Sequence, residues 1–544
     1  MMETPKQVIV SDVVLNQPSS CHYGYKRDFR TALPQFLAVS AKNLLLLGYG
    51  QILGFPTILI AALRDPVGFE RPPLNDLQVS WISSINLMVV PIGCAISGMA
   101  TAPFGRRRSM QLLNLPFITA WFIFYLSVEV WHLYSALFLA GLTGGLIEAP
   151  VLTYVAEITQ PHLRGALTAT SSMCIIIGVF TQFLLGLFLH WRKLALTNII
   201  FTVMSLIGLC FVPESPHWLV SKNRLEGARK SLQWLRGWTT PEAVEGELLD
   251  IQEQFEKEKG QAEHEETLIE RLSPYIQRSF LAPFFLVSYS FFVGHFSGMT
   301  TLQTYAVSIF QMLRTPIDKY YATLILGLLQ IAGSAICVFL VHYTGKRPLT
   351  ILSTLGAGVC CLLVAGYEGY VPTHHTNRTY SDNTSVFMKQ VDPEELNNPY
   401  SWIPTTCLLL LALITHTGIR LLPWILIGEV FNVKTRSGAA GLASAVGYIF
   451  GFLSNKIFIT MIDRLSIWGT YGVYGLVCLS GCVVLYYILP ETEGKKLNEI
   501  QDHFAGIKRL TNDVYRSKKS RDIQLSNIGK PTANPAFVGD CSKL

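Results

Sequence analysis

The chain has 544 residues, of which 50% are hydrophobic and only 15% are charged, and its formal net charge is +6. Soluble proteins contain about 25% charged residues, so a string of soluble domains could not hide this much apolar surface from water. The charges lie in short clusters between long apolar runs, which excludes a disordered chain, a secreted disulfide scaffold and a nucleic-acid-binding protein, and favours a polytopic membrane protein.

Twelve apolar segments are long enough to span a bilayer, since a spanning helix needs about 20 residues. In the first half, the predicted spans are 34–62, 79–103, 110–131, 133–156, 167–190 and 194–213. In the second half, they are 281–312, 321–343, 349–370, 403–430, 438–462 and 469–489. The pattern predicts an all-α membrane protein with two six-helix bundles, at 34–213 and 280–490.

The segments outside the bundles are polar. They are an N-terminal tail at 1–33, a charged segment at 214–279 and a C-terminal tail at 491–544. The spacing in the charged segment fits short amphipathic helices at a membrane face. The polar N-terminus predicts that no signal peptide is cleaved and that the first span directs insertion. Most of the 11 Cys lie in apolar runs, so we expect small buried side chains and neither a metal nor another cofactor.

The basic residues orient the chain. Basic clusters follow the second and eighth spans, at 105–108 and 345–347, and most Lys and Arg lie in connections on the same side as the two tails. By the positive-inside rule, both ends face the cytosol, as in a multi-pass protein of the cell membrane. This orientation places the long loop 371–402 outside, where the sequons at Asn377 and Asn383 predict glycans.

Short charged motifs recur between the halves. The same offset separates Glu157 from Glu429 and Arg164 from Arg436. The repeated charges are Arg106, Arg107, Glu157, Arg164 and Glu214 in the first half, and Lys346, Arg347, Glu429, Arg436 and Glu491 in the second. A two-fold repeat of six helices is typical of a rocking-bundle transporter. We expect these charges to pair across the seam between the halves as an inner gate. The pairs hold the inner side shut when the protein opens outward and separate when it opens inward, the alternative being ordinary interfacial anchoring.

Several motifs together identify a family resemblance. The stretches 213–219 and 490–495 resemble the PESPRWL and PETKG signatures of the sugar-porter family in the major facilitator superfamily. The stretch 154–165 resembles its Y-x-x-E…RG element, and 418–429 resembles its helix 10 motif. Within the family, 160–165 and 454–456 are similar to the insect facilitated-trehalose-transporter branch. The resemblance implies twelve helices, alternating access and carriage of a sugar or related polyol.

The chain departs from the family where sugar is usually bound. The helix 7 motif QQLSGIN is replaced by Gly294–Thr300, and Ser172, Gln330 and Tyr448 stand where the family has Gln, Asn and Trp. Through the resemblance, we expect hydrogen-bonding or stacking groups at the substrate from seven side chains. They are Ser172, His295, Thr300, Thr301, Gln330, Trp424 and Tyr448.

Four ionisable residues fall inside predicted spans, where charge is costly and usually faces a cavity or a partner. They are Lys42, Glu148, His295 and Arg420. Glu148 and Arg420 are repeat mates at similar depth and could form an ion pair across the cavity that alternates with substrate or is merely structural. Alternatively, Arg420 or His295 binds an anionic group, or Glu148 carries a proton. We expect Lys42 to snorkel to the inner interface.

Three functions remain open from the sequence. The first is facilitative carriage of a neutral sugar or polyol, and the second is carriage of a charged organic solute by Glu148, His295 and Arg420. The third is a non-transporting sugar sensor. The sequence contains no metal cluster, phosphate loop or nucleophile elbow, so we do not expect an enzyme. The expected partners are a small-molecule substrate and the lipid bilayer, without nucleic acid.

Overall fold

A computed structural model describes residues 29–64, 74–262, 273–370, 400–431, 435–495, 497–508 and 510, and within these ranges all regular structure is helical. The first half contains α1 Phe29–Leu63, α2 Asp76–Ile82, α3 Ile85–Phe104, α4 Arg106–Leu126, α5 Val130–Leu146, α6 Glu148–Ile158, α7 Pro161–Phe188 and α8 Trp191–Cys210. The connecting segment contains α9 Pro216–Ser221, α10 Leu225–Leu235 and α11 Pro241–Ala262. The second half contains α12 Arg278–His295, α13 Met299–Thr304, α14 Ala306–Met312, α15 Lys319–Thr344, α16 Lys346–Tyr370, α17 Trp402–His416, α18 Leu422–Val430 and α19 Arg436–Ile488, followed by α20 Leu497–Ala505.

The membrane spans are α-helices, as the hydropathy pattern predicts. Nine stretches of the described residues are long and apolar enough to cross a membrane. One of them belongs to α19, which has 53 residues and turns at Ser466, where φ is 61°. At 1.5 Å per residue α19 is about 80 Å long, more than twice the thickness of a bilayer core, so it supplies two crossings. Together with the interrupted stretches α12–α14 and α17–α18, these helices accommodate the twelve predicted spans in an all-α membrane fold.

The first interruption separates α12 from α13. Gly298 has a φ of 81°, in the left-handed region that glycine adopts at low cost. His295 ends α12 and Thr300 lies in the first turn of α13. The break brings these two side chains together, with His295 Nδ1 3.0 Å from Thr300 Oγ1.

The second interruption separates α17 from α18. Pro423 lies in the first turn of α18, where its missing N–H is no loss. Ser353 of α16 donates its hydroxyl hydrogen to the carbonyl of Ile414 at 2.7 Å and accepts the N–H of Ile419 at 3.2 Å. These bonds satisfy backbone groups that the break would leave unpaired, and they hold Arg420 inside the second bundle.

Small residues let the helices of the first half approach closely. A Cβ atom built on Gly50 of α1 would lie 2.0 Å from the carbonyl oxygen of Ile175 in α7. Only glycine fits such a backbone contact, which is a common way to join membrane helices. The contact fixes the neighbouring Gln51 against α7.

The connecting segment packs against the charged end of the first half. Arg236, which directly follows α10, pairs with Glu247 of α11 at 2.6 Å and donates to the carbonyl of Ile158 at the end of α6, at 3.1 Å. The helices α9, α10 and α11 therefore occupy most of 216–262 in the segment predicted to be amphipathic. On the other half, α20 buries Ile500 and Phe504 against the second bundle.

Candidate functional site

The repeated charges of the first half form one network at the start of α4. The carboxylate of Glu214 accepts the backbone N–H groups of Arg106 and Arg107, both at 2.9 Å. A carboxylate at a helix N-terminus satisfies free N–H groups and interacts favourably with the helix dipole. Arg106 also pairs with Glu157 at 2.9 Å, and Ser215 donates a hydrogen bond to the same carboxylate.

The second half repeats this network at the start of α16. Glu491 accepts the backbone N–H groups of Lys346 and Arg347 at 3.1 and 3.0 Å. The Lys346 ammonium lies 2.5 Å from Glu429 and 2.9 Å from Glu493. Burial opposes ionisation of Glu493, but Lys346 and His342 outweigh burial and lower the pKa of its carboxyl. The sequence repeat is therefore also a repeat of geometry.

Among the described residues, the repeated charges form ion pairs only within their own half. Arg164 is exposed, and the side chain of Arg436 lies outside the described residues. Each acid lies beside the helix N-terminus and the base of its own bundle, which gives it a local partner. Pairing across the seam is expected only while the charged end is closed, so the inner gate stays a prediction.

Hydrogen bonds between the halves lie at the opposite end of the molecule. The Tyr305 hydroxyl donates to the Ser83 hydroxyl at 2.6 Å, and the Asn455 amide donates to the Ser83 carbonyl at 3.0 Å. Nearby, the Lys456 ammonium lies 3.6 Å from the centre of the Trp81 ring. Among the described residues, the halves are thus bonded at the end remote from the repeated charges and show no ion pair at the charged end.

A polar cluster lies on the second-half wall between these ends. The guanidinium of Arg420 donates to the Thr300 hydroxyl at 2.8 Å, and its Nη1 lies 3.4 Å from His295 Nδ1. The interruptions of both helices, described above, are what bring these three side chains together. Arg420 and His295 are partly exposed, whereas Thr300 is buried.

One reading of the sequence, an ion pair between Glu148 and Arg420, is not seen in this conformation. Arg420 is engaged by Thr300 instead, and among the described residues Glu148 has no ion-pair partner. Glu148 begins α6 and lies close to Tyr49, Cys94 and Tyr448. Equal depth, which the repeat implied, does not fix the distance between two walls of a cavity.

Aromatic side chains form the neighbouring wall. Trp424 packs edge-on against Phe291 and Tyr448, with ring centres 5.0 and 5.7 Å apart. Tyr448 also approaches the hydroxyl of Tyr49 across the halves, without the geometry of a hydrogen bond. The structure therefore brings together the predicted residues Trp424 and Tyr448, and adds Phe291 and Tyr49.

Three buried side-chain amides form a group that the sequence analysis did not predict. The side-chain oxygen and nitrogen of Gln51, Asn86 and Gln330 are all buried without a hydrogen-bond partner among the described residues. Of these, only Gln330 was expected. An amide in the middle of an apolar helix was the available signal for Gln51 and Asn86, because leaving such a group unpaired costs about 1–3 kcal/mol.

The remaining predicted groups are placed differently. Thr301 donates to the carbonyl of Gly298 at 3.0 Å, and Ser172 is partly exposed. The expectation that Lys42 snorkels is wrong, because its side chain is fully buried and its ammonium donates to Ser171 at 2.5 Å. The tight packing of α1 on α7 leaves no path from Lys42 to the interface.

Within the described ranges, no group of three or more His, Cys, Asp or Glu could hold a metal ion. The sequons at Asn377 and Asn383 lie outside the described residues.

The chain is similar to transporters over most of its length. The family described as "Sugar (and other) transporter" matches residues 33–504. Facilitated trehalose transporter Tret1 of Bombyx mori is 26% identical, covering 80% of this chain and 81% of that protein. The same-named protein of Apis mellifera ligustica is 27% identical, covering 89% and 90%. The partially occluded inward-open xylose transporter XylE of E. coli has a TM-score of 0.64 at 16% identity, covering 84% of this chain and 100% of that one, which shows the fold alone.

Proposed function

This chain is a member of the sugar (and other) transporter family, and from that premise we propose that it carries a sugar or related polyol across the cell membrane. Transport is facilitative and proceeds by alternating access of a central site to the two sides. The names of the similar insect transporters make trehalose the first solute to test.

The observation that carries the proposal is the set of unpaired amides at Gln51, Asn86 and Gln330. Each amide can both donate and accept hydrogen bonds, as can each hydroxyl of a sugar. Buried polar groups without partners are rare in folded proteins and call for a ligand or water. A polyhydroxylated solute matches three such groups better than an apolar one.

Further contacts complete the proposed site. His295 and Thr300 supply polar atoms on the second-half wall, and Trp424 and Tyr448 supply aromatic faces on which a sugar ring packs. Ser172 and Thr301 are retained as weaker contributors, since the Thr301 hydroxyl already donates to Gly298.

In this conformation the repeated charges pair within each half. The networks of Glu214 and Glu491 tie together the helix ends of their own bundle. Each bundle, proposed at 34–213 and 280–490, then moves as a rigid body around the site. Breaking a network is expected to disturb the gate by loosening one bundle.

The proposed orientation places both tails and the charged ends of the bundles in the cytosol. The bonded end with Tyr305 and Ser83 then faces outside, and the conformation is open to the cytosol. Glycans are proposed on Asn377 and Asn383 in the external loop.

Uptake by reconstituted vesicles tests the proposal. The purified full chain should show saturable uptake of labelled trehalose, glucose or sorbitol, unchanged by an uncoupler and without chemical change of the solute. Gln330→Leu should lower uptake at least several-fold, whereas Gln311→Leu, at an exposed glutamine, should not. A chain that moves no solute, but whose segment 511–544 changes its protease protection on sugar addition, would instead be a sensor.

A further inference from the structure

The guanidinium of Arg420 is held in a fixed position at the proposed site. It lies in the turn between α17 and α18, whose backbone is bridged by Ser353. The backbone N–H of Arg420 donates a hydrogen bond to the carbonyl of Thr415 at 3.1 Å. The backbone that carries the guanidinium is therefore fixed by hydrogen bonds.

The neighbours of Arg420 are ordered as a chain of donors. Arg420 Nη1 donates to Thr300 Oγ1 at 2.8 Å, so the hydroxyl hydrogen of Thr300 is free to donate to His295 Nδ1 at 3.0 Å. With Nδ1 as the acceptor, the neutral imidazole carries its hydrogen on Nε2. The Nε2–H of His295 and the other N–H groups of Arg420 therefore remain available as hydrogen-bond donors to a ligand.

Neither hydrogen-bonding neighbour of Arg420 neutralises its charge. Thr300 is an uncharged hydroxyl, and His295 contributes an imidazole nitrogen as acceptor. Among the described residues, no acidic side chain forms an ion pair with Arg420. A guanidinium stays protonated in proteins, and an unneutralised cation at membrane depth is costly and usually marks a pathway or a ligand.

We infer that Arg420 anchors the carboxylate of an acidic sugar or acidic polyol, such as an aldonate or a uronate. A guanidinium binds a carboxylate through two parallel hydrogen bonds, while the amides of Gln51, Asn86 and Gln330 bind the hydroxyl groups. This inference rests on the proposed function and narrows its substrate class.

Binding to the purified full chain in detergent tests the inference. Tryptophan fluorescence titrations should compare gluconate with sorbitol, and glucuronate with glucose. The acids should bind about 10- to 100-fold more tightly than their neutral counterparts, the range expected for a hydrogen bond to a charged group. Arg420→Met should remove this preference but keep neutral binding, and Arg420→Lys should keep part of it.

The control is Arg464→Met, which removes an exposed arginine and should leave the preference intact. Equal binding of acid and neutral ligands by the wild-type chain, or an acid preference that survives Arg420→Met, overturns the inference. If Arg420→Met does not fold, a competition binding assay with the wild-type chain tests the inference. In that assay gluconate must displace labelled solute better than sorbitol does. Saturable uptake of neutral sugars with no acid binding overturns the inference but leaves the proposed function standing, whereas no saturable uptake of either class overturns the proposed function.

Discussion

Tyr305 of the second half donates its phenolic hydrogen to the Ser83 hydroxyl of the first half, at 2.6 Å. The bond joins two bundles whose repeated charges, at the other end, pair only within their own half. Together with Asn455, it forms a polar seal that must open when the carrier faces the opposite side. The conformational balance of the protein therefore depends on a few neutral hydrogen bonds at one end.

Removing the Tyr305 hydroxyl should weaken this seal. Tyr305→Phe loses one buried hydrogen bond and leaves Ser83 without this donor, at a cost of about 1–3 kcal/mol. Hydrogen exchange of the segments 76–85 and 299–312 should become faster. Tyr343→Phe, at a tyrosine that is 74% exposed, is the control and should change nothing. Unchanged exchange in both variants would show that the bond does not hold the halves together.

The cation–π contact between Lys456 and Trp81 should contribute to the same seal. A cation held over a tryptophan face away from water contributes about 2 kcal/mol. We expect Lys456→Met and Trp81→Leu each to accelerate exchange at 76–85, and the double variant to add little to either. Lys319→Met removes a longer contact, 5.5 Å from the ring of its neighbour Tyr320, and serves as the control. Fully additive effects of the two changes would mean that the contact contributes no interaction free energy.

The duplicated carboxylate caps should contribute similarly to stability. Glu214→Gln and Glu491→Gln each replace a charge at a helix N-terminus with a weaker neutral acceptor, so each should lower the melting temperature, corresponding to about 1–2 kcal/mol. The measurement is thermal unfolding in detergent, with Glu226→Gln as the control because Glu226 pairs only on the surface, with a 78% exposed side chain. A loss confined to one half would contradict the structural equivalence of the repeat.

Lys42 and Ser171 should respond unequally to mutation. Ser171→Ala leaves the buried ammonium without its partner, so it should destabilise the protein by about 1–3 kcal/mol. Lys42→Met removes the charge and keeps the volume, so it should be neutral or stabilising, as for other buried charges replaced by apolar groups. Thermal unfolding of both variants checks the asymmetry. If Lys42→Met is the more harmful change, the ammonium has a partner or a role beyond Ser171.

Much of the fold followed from hydropathy, because apolar length alone identifies spans. The interruptions at Gly298 and before Pro423 were not predicted, since averaging over some 20 residues conceals a break of a few residues. The repeat correctly marked Glu157 and Glu429 as equivalent, but it could not show that each pairs within its own half. Spacing along a helix gives depth and face, whereas the partner of a charge depends on how helices pack.

The same limit explains the outcome at the site. Equal depth suggested that Glu148 and Arg420 meet, yet Arg420 contacts Thr300, a residue far from it in sequence and brought near by a helix break. Gln51 and Asn86 were overlooked because a single amide in an apolar run is ambiguous. Only the lack of a hydrogen-bond partner among the residues that the structure describes distinguishes them.

The bridge made by Ser353 has a consequence for how quickly the site recognises its solute. Since its hydroxyl already pairs the Ile414 carbonyl and the Ile419 N–H, the corner that presents Arg420 is complete before any ligand arrives. Binding then needs no local refolding, and little of the interaction energy is lost to ordering the chain. Rearrangement of the corner is therefore not expected to limit the rate of the transport cycle, in contrast to solute encounter and the rocking of the bundles.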